Sequence, residues 1–440
     1  MMKLRILCLL FGSSLLAQVQ IAEVLPNPVA SPSFQLLAPG SYAICYDINM
    51  SPYAGGEDLL FATRLIETCF SSIASKMPIS YSKSMYARAL RLAELSLVWL
   101  PLNYFAMEVQ HEVFGHGYRI RDINHGKVKV TDYDFDGPPP YGSGGAATFF
   151  SISKQLTTTD MTCISMAGIE SSQILSQLTQ FKWLGSRTVD PRQTILYLVN
   201  RYNLNLYASS IEGDEIEGHD LSNYVRFLNY TYSQKRLNVS DVRNLAWINL
   251  VDPFTYYALF AWFHYLSSGK ETGLPMIPIK EYGYLFGAHL NLTPFGPEYS
   301  FDNYLLKGSA PIYFYLKSGW HAGNTYEGIG IFAKELWTFN KFSIGIRSDL
   351  WRQPKLLLTP ADTSIIDIDL DSPPNPETPL YPSSEQHRKQ LGFAFSTIGT
   401  YQVNRVYGFQ AELGYKTRGF LPGYSLYSSP VVRISYLINF

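Results

Sequence analysis

Through the first 279 residues apolar positions recur at helical spacing, and from Lys280 onward the repeat shortens to two. The helical pattern occupies approximately 57–76, 86–118, 162–184, 191–209, 219–234 and 253–268. The period of two is clearest at the end of the chain. There Val432, Ile434, Tyr436, Ile438 and Phe440 fall on one face and Val431, Arg433, Ser435, Leu437 and Asn439 on the other. Eight such segments are predicted, at about 281–293, 298–306, 310–319, 326–336, 339–352, 390–402, 405–417 and 429–440. Two further strands, 127–134 and 146–154, interrupt the helical part as a hairpin around the turn-forming run from Gly137 to Gly145. The expected fold class is α+β, with a mainly helical domain over 18–279 followed by an eight-stranded antiparallel domain over 280–440.

The closing alternation on a terminal aromatic resembles the last strand of bacterial outer-membrane β-barrel proteins. That resemblance implies a membrane barrel, and each segment is near the roughly 9–11 residues a tilted strand needs to cross. Connections alternate as the resemblance requires. Lys307 to Ala310, Trp337 to Asn340 and Val403-Asn404 are short, whereas Gly319 to Thr325, Gln353 to Lys389 and Thr417 to Ser429 are longer. Pro294 to Pro297 departs from the rule, being short where an external loop is expected. An even strand number puts both ends of the barrel, and the domain before it, on the periplasmic side. Eight strands enclose too little space for an open pore, so the barrel is expected to anchor and not to conduct.

An apolar run from Ile6 to Leu16 behind Lys3 and Arg5 reads as a signal peptide over 1–17. A net charge of −1 with no basic cluster argues against nucleic acid. Among the cysteines left after the signal, Cys45 and Cys69 are able to pair in an oxidising compartment, leaving Cys163 free. The apolar stretches 95–107 and 253–269 fall short of a bilayer span and are expected as buried helices.

The candidate chemistry lies in His111-Glu112-Val113-Phe114-Gly115-His116. Histidines four apart share one helical face and can hold zinc while the glutamate between them acts as general base. Here they are five apart, about 140° around an ideal helix, so both reach one metal only if the helix takes the extra residue as a single-turn π-bulge at Gly115. The string HExxGH with a distant glutamate resembles the dipeptidyl peptidase III branch of the gluzincin metallopeptidases. The resemblance covers this motif and one glutamate. It implies zinc held by His111, His116 and Glu170, with Glu112 as general base on the metal-activated water. Glu108, one turn earlier, is placed to orient a ligand from behind. His219 or Tyr224 is a candidate to stabilise the oxyanion, and Asp220 is expected as a helix N-cap. The second hairpin strand is a candidate to align an extended peptide.

These readings converge on an outer-membrane-anchored, zinc-dependent metallopeptidase that cleaves peptide or protein substrates in the periplasm. The alternatives are a noncatalytic structural or adhesive barrel protein in outer-membrane lipid and an intramembrane zinc protease.

Overall fold

A computed structural model describes residues 41–74, 83–211, 218–232, 236–308, 310–358 and 387–440. The expected signal peptide, the acidic run from Glu212 to Glu217 that precedes His219, and most of the stretch between Gln353 and Lys389 lie outside these residues. The chain runs β1 (Tyr42–Asp47), α1 (Pro52–Ala74), α2 (Met85–Glu94), α3 (Leu100–His111), α4 (Gly117–Ile123), β2 (Val128–Phe135), β3 (Ala146–Ile152) and α5 (Thr158–Ser186). It continues through β4 (Thr188–Val189), α6 (Thr194–Arg201), α7 (Asn203–Ser209), α8 (Asp220–Thr231), α9 (Val239–Leu245), α10 (Pro253–Ser268), β5 (Thr272–Gly273) and β6 (Ile277–Ile279). An antiparallel meander follows: β7 (Tyr282–Thr293), β8 (Gly296–Lys307), β9 (Ala310–His321), β10 (Asn324–Phe339), β11 (Phe342–Pro354), β12 (Lys389–Gln402), β13 (Tyr407–Lys416) and β14 (Ser429–Ile438). Mixed helix and sheet bear out the α+β class.

The closed eight-stranded barrel requires correction. The large sheet has ten strands in the order β1-β14-β13-β12-β11-β10-β9-β8-β7-β6 and is open, because β7 and β14 do not pair. Each instead takes a short extra partner, β14 pairing with β1 from Tyr42↔Ile438 and β7 with β6 from Ile277↔Tyr284. Period-two reading missed β1 because six residues among loops carry too little alternation to register.

The sheet curves around α5, whose 29 residues extend about 43 Å. This helix is buried on nearly every side, and its hydroxyl residues explain how that is tolerated. Thr162, Ser165 and Thr179 each donate to the carbonyl four residues back, so these three present no unpaired hydroxyl to the core, whereas Ser172 Oγ is buried without a hydrogen-bond partner among the described residues. A capping box of Thr157 and Asp160 starts the helix, and Arg187 at φ 56° ends it. Near its N-terminal half Glu170 accepts from the Gly423 amide at 2.6 Å, and just past its C-terminus Arg187 donates to Gly308 O at 2.7 Å. Gly423 and Gly308 belong to connections at opposite ends of the strands, so α5 runs the height of the sheet. The expected boundary near residue 280 therefore separates helix from sheet without separating two cores. Phe181 of α5, for example, packs edge-on against Tyr304, Tyr313 and Phe332 of the strands.

The two faces of the sheet invert the usual order of burial. Along β12, Leu391, Phe393 and Phe395 point outward and are exposed, while Ala394 and Ser396 face in. Along β13, Phe409, Leu413 and Tyr415 are outward, while Glu412 and Lys416 are buried. Several inward charges are paired, as in Arg433–Glu412 at 2.9 Å and Lys317–Glu298 at 3.5 Å, while Lys416 donates to the carbonyls of Thr417 and Gly419. Exposed charges gather at strand ends, where Glu327 meets Arg352 at one end and Glu281 meets Lys307 at the other. The three described cysteines, Cys45, Cys69 and Cys163, are free.

Candidate metal centre

α3 runs into a π-helical turn over Glu112–His116 before α4 continues the rod. The bulge expected from the five-residue spacing is therefore present, and it brings His111, Glu112 and His116 together, with ligand atoms within 4.8 Å of one another. Gly115 is required for a reason the motif does not show. A Cβ there would lie 2.8 Å from Ala167 O and 2.8 Å from Gly168 Cα, so the bare backbone lets the bulge press against α5. Gly168 answers from the other side, since a Cβ on it would sit 2.1 Å from His111 Nε2. Ser171 Oγ donating to Gln110 O at 2.6 Å ties the same two helices together.

Both imidazoles present Nε2 to one oxygen, Asp220 Oδ2, at 2.9 Å from His111 and 3.1 Å from His116. His116 is oriented by its other nitrogen, Nδ1, which lies 2.8 Å from Ile164 O and leaves Nε2 facing the centre. Asp220 opens α8 without capping it; its side chain goes to the histidines instead. Burial alone would lower the His116 pKa, but the Asp220 carboxylate outweighs it through charge and hydrogen bond and raises it to about 9. Burial likewise opposes the charged form of Asp220, yet the two histidines hold its carboxyl well below the usual carboxylate range.

Tyr207, on α7, completes the group. Its ring stacks on His111 at 5.3 Å and 6°, and its hydroxyl is 3.2 Å from His111 Nε2. Glu112 is held from the hairpin, where Thr148 Oγ1 on β3 donates to Oε2 at 2.6 Å. β3 pairs only with β2 in its two-stranded sheet, so the candidate substrate-aligning strand lies beside the proposed base with one edge outside the ladder.

Besides Asp220, four sequence expectations change. Glu170 is not with the histidines: Arg119 Nη2 donates to both of its oxygens at 2.8 and 3.0 Å, and the Gly423 amide to one of them. It lies two positions past Gly168, which turns it away from the His111 side of α5. Tyr224 is buried in the core and donates to Thr293 O at 3.0 Å, remote in role from any oxyanion. His219 stands behind Tyr207, ring to ring at 5.0 Å, with Nε2 3.3 Å from Ser210 Oγ. Glu108 is buried, but neither oxygen is hydrogen-bonded among the described residues, so it orients neither histidine. Burial, then the charges of Glu112 and Asp136, push its carboxyl up to about 7.

Asp220 and Tyr207 are the residues that sequence reasoning missed. Asp220 follows an acidic loop in a good capping position, and Tyr207 lies in a plain helical pattern; only the tertiary fold brings either to the histidines. Two imidazole nitrogens converging on a carboxylate oxygen form a donor set that suits zinc. Compared with known protein families, curated proteins and solved structures, the chain has no match.

Proposed function

We propose that this protein is a zinc-dependent metallopeptidase embedded in a bacterial outer membrane, with His111, His116 and Asp220 as the metal ligands. The observation that carries the reading is the convergence of His111 Nε2 and His116 Nε2 on Asp220 Oδ2, with Glu112 beside them. A bound zinc ion would supply Lewis acidity, polarising the scissile carbonyl and making the attacking water a better acid. Glu112 takes the proton of that water and passes it to the leaving amine, while Thr148 fixes the carboxylate through one oxygen and leaves the other free for the proton. Tyr207 takes the oxyanion-stabilising role first sought at His219 or Tyr224, because its hydroxyl is the neutral donor that reaches the centre. The edge of β3 holds an extended peptide beside Glu112 by main-chain hydrogen bonds.

The membrane reading is supported by the inverted sheet, apolar outward and charged inward, with exposed charges at the strand ends. The side on which the enzyme works changes from the sequence expectation. A periplasmic domain presupposes a body hanging from the strand ends, whereas α5 runs along the inside of the sheet and carries the proposed metal centre toward the strand ends joined by the connection 417–428. The longer connections of such barrels face outward, so the centre opens to the cell surface.

The test is zinc content and peptide hydrolysis on refolded protein. Wild type should hold one zinc per chain, and Glu112→Gln should keep it while losing roughly 10²–10⁴-fold in hydrolysis. A well-folded wild type without zinc, or an active Glu112→Gln, would sink the proposal.

A further inference from the structure

Ten strands leave a gap between β1 and β6, and a series of helices spans it. α1 follows β1 and packs on it. Phe70 of α1 meets Trp99, just past α2, at 5.8 Å. Arg91 of α2 donates to Leu266 O of α10 at 3.0 Å, and Trp99, Tyr265 and Leu266 share one apolar cluster. From α10 the chain passes through β5 into β6, so the circuit around the molecule closes through helices instead of strand pairing.

The outward side of this helical seam continues the apolar face of the sheet. Leu65 and Ile66 on α1, Leu97 after α2, and Leu259, Phe260 and Phe263 on α10 are all exposed, Phe263 by 62%. α10 contains no Asp, Glu, Lys or Arg. Arg88 is the exposed charged residue of α2 and lies near its start, where a long side chain can reach a polar boundary. On the sheet, β1 carries the face up to the seam with Ile44 and Tyr46 outward.

We propose that this seam is part of the lipid-facing wall, its apolar side in contact with acyl chains; the inference rests on the membrane reading above. Backbone chemistry explains why helices are suited to the place. A bare strand edge in hydrocarbon leaves N–H and C=O groups unpaired, while a helix satisfies its own. Both edges are also blunted at the junction. The Cys45 amide on β1 donates to Asp58 Oδ1 of α1 at 2.7 Å, and Pro278 sits at the centre of β6 with no amide hydrogen to offer. The 16 residues of α10 extend about 24 Å, matching the roughly 25 Å apolar band of such barrels. α10 serves as one stave of a wall and not as an independent span; among the described residues no helix is long and apolar enough to cross a membrane.

The experiment compares two single-cysteine labels on protein from residue 18 onward, without Cys8, in phosphatidylcholine–phosphatidylglycerol vesicles, Phe263→Cys on the seam and Phe395→Cys on the sheet, each in a Cys69→Ser background. The other two described cysteines, Cys45 and Cys163, are buried and do not compete for the label. A fluorophore at both positions should be quenched by nitroxide on the acyl chains and spared by iodide in the water. Quenching of the sheet label by lipid but the seam label by iodide overturns the seam and leaves the membrane reading standing. Iodide quenching at both positions overturns the two together. A seam label shielded from both quenchers means that another polypeptide covers the face, which also overturns the proposal. Leu259→Cys repeats the test if Phe263→Cys fails to fold.

Discussion

A carboxylate oxygen between two imidazole nitrogens needs something positive there, either a proton or a metal ion, and the alternatives give opposite pH behaviour. Without metal, His116 has its pKa raised to about 9 against the ordinary value near 6.5. A raised folded-state value stabilises the fold fully below pH 6.5 and loses that contribution as pH climbs toward 9. The metal-free protein should thus lose up to about 3 kcal/mol over that window in urea unfolding, while the zinc-loaded protein lacks this slope. Zinc added at pH 7.5 should accordingly release about one proton, measurable with an indicator dye in weak buffer. The same scale separates the two acids proposed for the metal. Asp220→Ala should abolish zinc binding. Glu170→Gln should retain zinc but cost about 2 kcal/mol of stability, because the buried Arg119 guanidinium loses one of its two carboxylate partners and keeps only Asp122. Zinc analysis beside thermal unfolding distinguishes them, and a Glu170→Gln protein that folds well without zinc would restore Glu170 as a ligand.

Among the elements, the π-turn over Glu112–His116 and the glycines that let it approach α5 carry the site. Gly168→Ala isolates their role. Alanine favours a helix over glycine by about 1 kcal/mol, so α5 itself should tolerate the change, yet the new Cβ would occupy the space of the His111 ring. The expected result is a folded protein with normal helical circular dichroism and no zinc; full zinc retention would refute the tight packing of His111 on Gly168. What the sequence made legible follows the same division. The π-bulge was legible because the five-residue spacing admits few helical solutions. The eight long strands and the helices at 253–268 and 162–184 were legible because each repeats its period over many residues. α9 and the six-residue β1 were not, being too short for a period to emerge. The third ligand was hidden for another reason. Glu170 has the residue type the motif calls for and Asp220 has the local context of a cap, and which one reaches the histidines depends on how α5 and α8 cross.

For the whole molecule, on the membrane reading proposed above, the arrangement of α5 against the large sheet decides which side would meet the proposed metal centre. Ile164 and Gly168, which touch the two histidines, lie on the half of α5 that ends beside the connection 417–428. The opposite end of α5 reaches the tight turn at Gly308. The connection 417–428 is gripped from inside: Arg119 donates to Tyr424 O at 3.0 Å, and the Leu426 amide donates to Asp122 Oδ2 at 2.8 Å. α4, which follows His116 directly, is therefore tied to that connection, and a topology assigned to either holds for both. A short epitope inserted within residues 359–386 should be stained by antibody on intact cells, and a peptide substrate too large to enter the periplasm should be cleaved by the same cells. Staining that appears only after the outer membrane is permeabilised would put the metal centre in the periplasm, and the rule that longer connections face outward would then fail for this sheet. The epitope reports the orientation of the wall and the large substrate reports access to the centre. Staining without cleavage would thus mean that the centre, though at the outer end, admits only small peptides past the β2–β3 hairpin.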